Sequence, residues 1–331
     1  MRCPRLSELP PPPTGKAGWP WTQESERVTS VRSDGKKWPR MTVVTPSFNQ
    51  GKYIEETIRS VLLQGYPDIE FFILDGGSAD ETLSVIKKYE RFLSGWRSER
   101  DDGQAASVQE GFKRSSGDLV AWQNSDDFYG KDSFSKIAEV YHRQADSTII
   151  HGQVYKITEE EQKIEKWPVQ AFSKENYHLS SFANQQAMFF KKEILEEGHY
   201  PDPSYQHILD YEFIWRLVLA GYRSVFVPEA TGYFRVHAEC KTVRQEAVRC
   251  AESFEMGKQL LVREDVPVAV KRQLEEAMYA DCVIGCASEQ AADFRRRTWE
   301  LINLTSGRCL KPFLVERWIK SWIISGLNNR I

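Results

Sequence analysis

The sequence predicts an α/β fold in which a mixed, Rossmann-like sheet is flanked by helices, with an extended N-terminal arm and a C-terminal helical extension. Two observations lead to this class. Between residues 41 and 122, short β-branched and aromatic runs alternate with stretches of helical periodicity, which is typical of βαβ units. From residue 243 onward the pattern is helical only.

Residues 1–38 are predicted to form the arm. The first 40 residues hold 7 of the 15 prolines, including the run at 10–13, which favours polyproline-like backbone. Trp19, Trp21 and Trp38 lie in the same stretch. Because a solvated linker gains nothing by exposing three such side chains, we expect the arm to pack over the main domain. The alternative is a flexible leader.

The first half of the sheet is predicted from short runs rich in β-branched and apolar residues. Such runs predict strands at 41–45, 70–74 and 119–122. Apolar residues at helical spacing follow the first strand, and a further helix is predicted at 104–114. Ser78 followed by Glu81 matches a capping box, which predicts the start of a helix that continues to Leu93.

The sheet is predicted to become mixed in the second half. Residues 147–167 contain two strand-like runs joined by an acidic turn. A helix is predicted over 205–220, ending at Gly221, and a late strand over 223–228. The helices that follow are separated at Pro267, Gly307 and Pro312.

The composition is that of a globular protein, with 41% hydrophobic and 27% charged residues among 331. With 44 Lys and Arg against 47 Asp and Glu, the chain lacks the basic field that nucleic-acid binding requires, so we expect no nucleic acid partner. There is no secretory signal pattern and no run of about 18 apolar residues, which predicts a cytoplasmic protein. Six scattered cysteines without CxxC pairs predict reduced thiols.

Three polar motifs follow predicted strands, at 45–49, 75–78 and 124–127. In an open α/β sheet, ligands bind outside the carboxyl ends of the strands, so these motifs are expected to form one site. The motifs contain neither GxGxxG nor GxxxxGK[ST], which argues against a dinucleotide fold or a P-loop. A site rich in carboxylates and poor in lysines suits a divalent cation that bridges to a diphosphate.

Six segments, in this order, resemble the inverting family 2 glycosyltransferases of the GT-A fold, of the type that builds bacterial cell-surface glycans. They read VTPSFNQGKYIEETIRSVLLQGYPDIEFFILDGGSADET, SERDDGQAASVQEGF, GDLVAWQNSDD, NQQAMFFKK, LDYEFIWRLVLAGYR and YFRVHAECKT. The resemblance implies a catalytic domain at 39–242, preceded by the arm and followed by a helical region at 243–331. It also implies a metal-dependent transfer, with Mg²⁺ or Mn²⁺, from a nucleoside diphosphate sugar to a hydroxyl of a saccharide or lipid-linked glycan, and a UDP-sugar is favoured.

The resemblance assigns the nucleoside end of the donor to two motifs. Asp75 matches the family's base-reading aspartate, and a helix cap is its alternative role. Thr45, Pro46 and Phe48 match the loop that lines base and ribose, where a plain strand-to-helix turn is the alternative. The family often has Tyr at the position of Phe48, so stacking is kept and a hydroxyl is lost.

The diphosphate end is assigned to acidic residues and a histidine. Asp126 and Asp127 match the family's DXD-type motif, in which one carboxylate reaches the ribose or metal and the last ligates the metal. His237 matches the histidine that approaches the diphosphate or metal, and Lys241 would neutralise phosphate charge. The alternatives are a solvated acidic loop, a structural histidine and a solvated lysine.

Asp210 matches the family's catalytic base near the start of the acceptor-side helix, with helix capping as its alternative role. Glu212 is a weaker candidate because Arg216 lies four residues on, and an ion pair between them explains both. Arg216 is therefore expected to orient the helix.

The segment at 103–111 departs from the family pattern. Ala106, Gln109 and Glu110 stand where close members usually have Asp, Asn and Lys. Asp101 and Gln104 remain as candidate donor contacts. The departures leave open a second function, that of a catalytically impaired nucleotide-sugar-binding or scaffold protein of the same fold.

The C-terminal tail is basic. Residues 295–331 carry eight Lys and Arg against two Glu. Apolar residues recur there at helical spacing, namely Leu310, Phe313, Leu314, Trp318 and Trp322. Such a helix is expected to dock on the catalytic domain or on a second copy of the chain. Peripheral contact with an anionic membrane is the alternative.

Overall fold

The computed structural model describes residues 1–144, 146–158, 164–174, 176–177, 184–241, 246–285, 291–308, 315–316 and 318. The chain divides into two compact units. The first comprises Met1–Ser173 and Ser181–Val236, and the second Lys174–Ser180 and His237–Ile331.

One mixed sheet forms the centre of the first unit. Its strands are β1 (Met41–Ser47), β2 (Ile69–Asp75), β3 (Gly95–Ser98), β4 (Leu119–Trp122), β5 (Phe128–Tyr129), β6 (Ile149–Thr158), β7 (Ile164–Lys166), β8 (Met188–Lys191) and β9 (Ser224–Val236). The order is β3-β2-β1-β4-β8-β6-β9-β5, with β7 paired to β6. The first four strands are parallel and β8 joins them antiparallel, so the predicted change to a mixed sheet is confirmed.

Six helices flank this sheet in the described part of the first unit: α1 (Ile54–Leu62), α2 (Thr82–Tyr89), α3 (Gln104–Arg114), α4 (Ser133–Arg143), α5 (Glu193–Glu196) and α6 (Leu209–Leu219). All seven residues of β1 are buried, because the strand is covered on both faces. On α1, the apolar side chains Ile54, Ile58, Val61 and Leu62 are fully buried against the sheet. Each such burial contributes about 1.5–3 kcal/mol.

Close helix–strand packing depends on Gly111 of α3. A Cβ atom at this position would lie 2.4 Å from Cγ1 of Val44 in β1, which is far inside van der Waals contact. Only glycine therefore allows α3 to lie at its observed distance from the sheet.

The register aligns the strand ends that carry the polar motifs. Ser47 of β1 pairs with Asp75 of β2, and Asp75 pairs with Ser98 of β3. Val44 of β1 pairs with Trp122, the last residue of β4. The loops after these four parallel strands consequently emerge at one edge of the sheet, as the sequence predicts.

The N-terminal arm packs on the first unit, which confirms the expectation from its tryptophans. Cys3 and Trp21 are buried, and Trp19 and Trp38 pack against the main core. The backbone N–H groups of Cys3 and Ser25 donate to carbonyl oxygens at the end of α1 and just beyond it. The arm is thus an integral layer of this unit.

Several elements differ from the sequence prediction. The capping box is wrong: α2 begins after Glu81, and the Ser78 hydroxyl bonds elsewhere. Strands β3, β5 and β8 and helix α4 were not predicted, and β9 extends well beyond its predicted end.

The second unit is helical in its described residues. It contains α7 (Glu246–Leu261), α8 (Val268–Gly285) and α9 (Ala291–Thr305) around a core that includes Phe254 and Met278. Trp318 stacks on Trp299 of α9, with ring centroids 6.4 Å apart, so this residue of the tail contacts the helical region itself. Trp322 and four of the eight basic residues counted in 295–331 lie outside the described residues.

The cysteines and the hydrophobic segments agree with the composition. Cys3, Cys240, Cys250 and Cys282 are buried thiols outside any disulfide among the described residues, whereas Cys286 and Cys309 lie outside that part of the chain. Among the helices that the structure describes, none is both long and apolar enough to cross a bilayer.

Candidate functional site

The loops after β1 and β2 are hydrogen-bonded to each other. The backbone N–H of Gly76 donates to the carbonyl of Ser47 at 2.8 Å. The backbone N–H of Asn49 donates to the Ser78 hydroxyl at 2.7 Å, and the Asn49 side-chain oxygen accepts from the N–H of Ala79 at 2.9 Å. Two of the predicted motifs therefore form one continuous surface.

Asp75 organises this surface. Its carboxylate is buried and accepts from the N–H groups of Gly77 and Ser78, at 3.2 and 2.9 Å. It also accepts from the hydroxyls of Ser78 and Ser98, at 2.5 and 2.6 Å. Asp75 thus fixes the loops after β2 and β3, and it does not cap α2, whose N-cap position is Glu81.

Phe48 is the exposed member of the first motif. Its side chain is 60% exposed, whereas Thr45 and Ser47 are buried and Pro46 lies between them in β1. Within the described residues, the hydroxyls of Thr45 and Ser47 have no hydrogen-bond partner. An exposed aromatic ring beside buried polar groups is suited to stacking on a planar ligand.

The Asp127 carboxylate accepts hydrogen bonds from three residues. It is 1% exposed, and its Oδ1 accepts from the backbone N–H of Arg235 at 2.9 Å. Its Oδ2 accepts from the side-chain amides of Gln186 and Asn124, at 3.0 and 3.3 Å. Burial, reinforced by the charge of Asp126, raises the pKa of the Asp127 carboxyl well above its usual range.

Asp126 is the more accessible of the two acids, being half-buried. Its backbone carbonyl accepts from Nε of Arg235 at 3.2 Å, which fixes the loop. Adjacent carboxylates at a desolvated position disfavour ionisation, and a nearby cation would compensate for this. Carboxylate oxygens are the ligands that Mg²⁺ and Mn²⁺ prefer, so this pair fits the implied metal.

Gln104 connects helix α3 to the acidic motif. Its side-chain N–H group donates to the side-chain oxygen of Asn124 at 2.8 Å. Asn124 in turn donates to Asp127, so the helix start and the acids belong to one hydrogen-bonded chain.

Arg97 connects β3 to the segment that departs from the family pattern. Its guanidinium donates to the carbonyl of Asp75 at 3.0 Å and pairs with Asp101 at 3.4 Å. Glu110 pairs with Arg97 at 2.8 Å and with Arg114 at 2.6 Å. Asp101 and Glu110 therefore have structural partners here, and the acidic residue at 110 is explained by its two arginines.

The other two departures also lie on α3. The side chain of Gln109 donates to the carbonyl of Pro201 at 3.2 Å and accepts from Lys113 at 2.8 Å. Ala106 is half-buried. Gln109 thus joins α3 to the chain that precedes α6.

Asp210 lies in the first turn of α6. Its Oδ1 accepts from the backbone N–H of Tyr211 at 2.9 Å. Burial raises the pKa of Asp210 above its ordinary value, against the opposing effect of that N–H group. The segment before α6 lies close to the start of α3, because a Cβ at Gly103 would meet Oε1 of Gln206 at 2.9 Å. The chain before α6 and the start of α3 are thus neighbours.

Arg216 forms the ion pair that the sequence predicts. It donates to both oxygens of Glu212, at 2.8 and 2.9 Å, and to the carbonyl of Tyr200 at 2.7 Å. These contacts orient α6 relative to the loop before it.

His237 and Lys241 belong to the second unit. His237 is buried, and its ring Nδ1 accepts from the N–H of Glu239 at 3.3 Å. Its backbone N–H donates to Sγ of Cys240 at 3.3 Å. Lys241 is exposed.

Arg235 and Gln186 are site residues that the sequence prediction missed. Arg235 is 2% exposed and pairs with Glu56 of α1 at 2.7 Å, in addition to its bonds to the acidic motif. A charged residue that lies among apolar residues of a strand needs a buried partner of opposite charge. The position of Arg235 within YFRVH could therefore have predicted such a partner. Gln186 gives no comparable signal.

The family comparison covers the region that contains most of these residues. A family model described as glycosyl transferase family 2 matches residues 42–198. Over 104 residues the chain is 36% identical to the putative teichuronic acid biosynthesis glycosyltransferase TuaG of Bacillus subtilis. This alignment covers 30% of this chain and 41% of TuaG. It is 34% identical over 103 residues to the uncharacterized glycosyltransferase Rv1514c of Mycobacterium tuberculosis, and that alignment covers 30% of this chain and 39% of Rv1514c. The chain thus spans about two fifths of the length of these curated relatives.

Solved structures share the fold. TarS of S. aureus, solved in complex with UDP, superposes with a TM-score of 0.64 at 14% identity, over 86% of this chain and 89% of that one. The mannosyltransferase PcManGT of Pyrobaculum calidifontis, solved with GDP-Man and Mn²⁺, gives a TM-score of 0.55 at 15% identity, over 91% of both chains. The predicted GT-A fold class is confirmed.

Proposed function

Because residues 42–198 form a glycosyl transferase family 2 domain, we propose that this chain is a metal-dependent inverting glycosyltransferase. It transfers a sugar from a nucleoside diphosphate sugar to a hydroxyl of a saccharide or lipid-linked glycan. The observation that carries the proposal is the alignment of Phe48, Asp75 and the acids Asp126 and Asp127 at one edge of the sheet.

The nucleoside would bind at the joined loops after β1 and β2. Phe48 offers an exposed ring for the base, and Asp75 shapes the loop beside it. A UDP-sugar is the favoured donor, since TarS was solved with UDP and with UDP-GlcNAc. GDP-linked donors are the nearest alternative, because PcManGT was solved with GDP-Man.

The diphosphate and its cation would bind at Asp126 and Asp127. Asp126 would be the more accessible ligand. Asp127 is buried and oriented by three hydrogen-bond donors, and it would be the second carboxylate ligand. His237, two residues after Arg235 in the sequence, is proposed as a further ligand from the family resemblance. A bound Mg²⁺ or Mn²⁺ would stabilise charge on the departing nucleoside diphosphate.

Asp210 would act as the general base. Inversion requires that the acceptor oxygen attack the anomeric carbon on the face opposite the leaving group, with loss of its proton. The raised pKa of Asp210 brings that carboxylate closer to the basicity that proton abstraction needs. The loop before α6 meets the start of α3, which supports an acceptor bound beside the donor.

A saccharide acceptor agrees with the printed description of TuaG, a putative enzyme of teichuronic acid biosynthesis. The partners of Glu110 and Gln109 weaken the case for an impaired binding protein, because both departures have intramolecular roles. An impaired binding protein would bind the donor without any transfer or donor hydrolysis.

A donor panel tests the proposal. Thermal shifts are measured with UDP-, GDP- and dTDP-sugars in the presence of Mn²⁺, followed by transfer to a panel of saccharide acceptors. We expect stabilisation by one nucleotide class, and transfer that a chelator abolishes. Absence of both stabilisation and transfer across the panel overturns the proposal, and stabilisation without turnover supports the impaired binding protein.

A further inference from the structure

We propose that the N-terminal arm is a positioning element of the donor site, acting on the acidic loop, which we define as residues 124–132. The inference rests on the proposed function, since it assigns a role in holding the Asp126 and Asp127 carboxylates. The arm is the feature of the sequence that the catalytic assignment does not use.

Two direct hydrogen bonds join the arm to the acidic loop. The indole N–H of Trp19 donates to the carbonyl of Tyr129 at 2.8 Å, two residues after Asp127. The hydroxyl of Ser25, which is 3% exposed, accepts from the backbone N–H of Asp132 at 2.8 Å. Both contacts involve loop backbone, so they fix the path of the loop whatever its side chains are.

The arm itself is anchored by one buried arginine of α1. Arg59 is fully buried, and its guanidinium donates to the carbonyls of Pro10, Pro20 and Trp21 at 2.9, 3.1 and 2.8 Å. It also donates to the hydroxyl of Tyr89 at 3.0 Å. A buried guanidinium without such acceptors is costly, so Arg59 and the arm depend on each other.

The same helix also supports the acidic loop directly. The hydroxyl of Thr57 donates to the carbonyls of Asp127 and Ser125, at 2.6 and 3.0 Å. The hydroxyl of Ser60 accepts from the backbone N–H of Tyr129 at 3.1 Å. The loop is therefore held by α1 on one side and by an arm that α1 anchors on the other. Removing the arm's contacts leaves loop backbone groups unpaired, which frees the residues next to the acids.

The test compares substitutions that remove single bonds. Trp19→Phe keeps an aromatic ring but removes the indole donor, and Ser25→Ala removes the acceptor. Trp38→Phe is the matched control, because the Trp38 indole nitrogen has no hydrogen-bond partner in the described residues and its ring contacts Tyr66 and His142 instead. Mn²⁺ and UDP binding are measured by calorimetry, and amide hydrogen exchange is followed in residues 124–132.

We expect the Trp19→Phe, Ser25→Ala double variant to bind UDP and Mn²⁺ about tenfold more weakly, as for other residues that support metal ligands indirectly. Exchange in the acidic loop should accelerate, while Trp38→Phe behaves as wild type. If the double variant misfolds, Ser25→Ala alone decides by the same measurements. Loop exchange and affinities that remain within twofold of wild type overturn the positioning role. A wild type that binds neither UDP nor Mn²⁺ overturns the proposed function, while loop exchange still decides whether the arm holds the loop.

Discussion

The backbone N–H of Arg235 donates to Oδ1 of Asp127 at 2.9 Å, and the Arg235 guanidinium pairs with Glu56 at 2.7 Å in a buried position. One residue of β9 thus ties the acidic loop to helix α1. Because the bond to Asp127 comes from the main chain, it is formed whenever β9 is in register, and the carboxylate is oriented by the sheet itself.

Asp127→Asn should lower transfer and cation affinity by about 10–100-fold. The amide can still accept from Arg235, but its N–H₂ group then faces the amide donors of Gln186 and Asn124. Calorimetric titration with Mn²⁺ and UDP, together with initial rates, measures the effect. Ser84→Ala is a control, since its exposed hydroxyl donates to the carbonyl of Glu81 at the start of α2. Wild-type affinity in Asp127→Asn would contradict the assignment.

Asp210→Asn should reduce kcat by about 10²–10⁴-fold and leave UDP binding unchanged. The amide keeps an oxygen for the Tyr211 N–H but has no basic lone pair for the acceptor proton. Since the pKa of Asp210 is raised, wild-type activity should fall, as the pH decreases, at a higher pH than an ordinary aspartate would give. A variant that retains wild-type turnover, or that loses UDP binding, would show that Asp210 has another role.

Phe48→Ala should weaken UDP binding about tenfold, because stacking of a base on an aromatic ring contributes about 1–3 kcal/mol. The folding stability should change by less than about 0.5 kcal/mol, since Phe48 is 60% exposed. Phe48→Tyr is the matched control and should bind at least as tightly as wild type. Equal affinities of the alanine and tyrosine variants would remove Phe48 from the nucleoside site.

Glu110→Lys should destabilise the first unit by about 1–3 kcal/mol, although lysine is the usual family residue there. The substitution replaces the partner of Arg97 and Arg114 with a like charge. Glu110→Gln, which keeps a hydrogen-bond acceptor, should lose less. Chemical denaturation compares the three proteins, and a lysine variant as stable as wild type would show that the pairs contribute nothing.

The unfolding free energy of the first unit should fall by about 2 kcal/mol between pH 7 and pH 5 through His151. This residue of β6 is fully buried, and desolvation lowers its pKa to about 3. The unfolded chain takes up a proton near pH 6.5 while the folded one stays neutral, so stability is lost as the pH decreases. His151→Gln should lack this component. A pH dependence equal to that of wild type would contradict it.

The strands that were predicted from the sequence are those whose own residues form a recognisable apolar and β-branched pattern. β1, β2 and β4 lie inside the sheet and are rich in buried apolar and β-branched residues. By contrast, β3 reads Gly-Trp-Arg-Ser with every residue half-buried, and β5 has two residues that are defined by pairing with β9. Such strands exist because of their neighbours, and local sequence does not contain that information.

The candidate site shows the same division. The motifs at the ends of β1, β2 and β4 were predicted, because strand ends and polar runs are adjacent in the sequence. Arg235 lies 108 residues from Asp127 and Gln186 lies 59 away, so their contacts arise from sheet topology. The functions of the predicted residues rest on resemblance and stay predictions until the variants above are measured.

Gly111 restricts which residues the chain tolerates at the contact between α3 and β1. A methyl group there would collide with Val44, so any larger residue pushes α3 away from β1. The helix moves as a rigid rod, and Gln104 lies two turns earlier, about 10 Å along its axis. Even a small tilt would break the 2.8 Å bond from Gln104 to Asn124. Gly111 is therefore expected to be constrained by its packing against β1, and relatives with a side chain there would need a smaller residue at position 44.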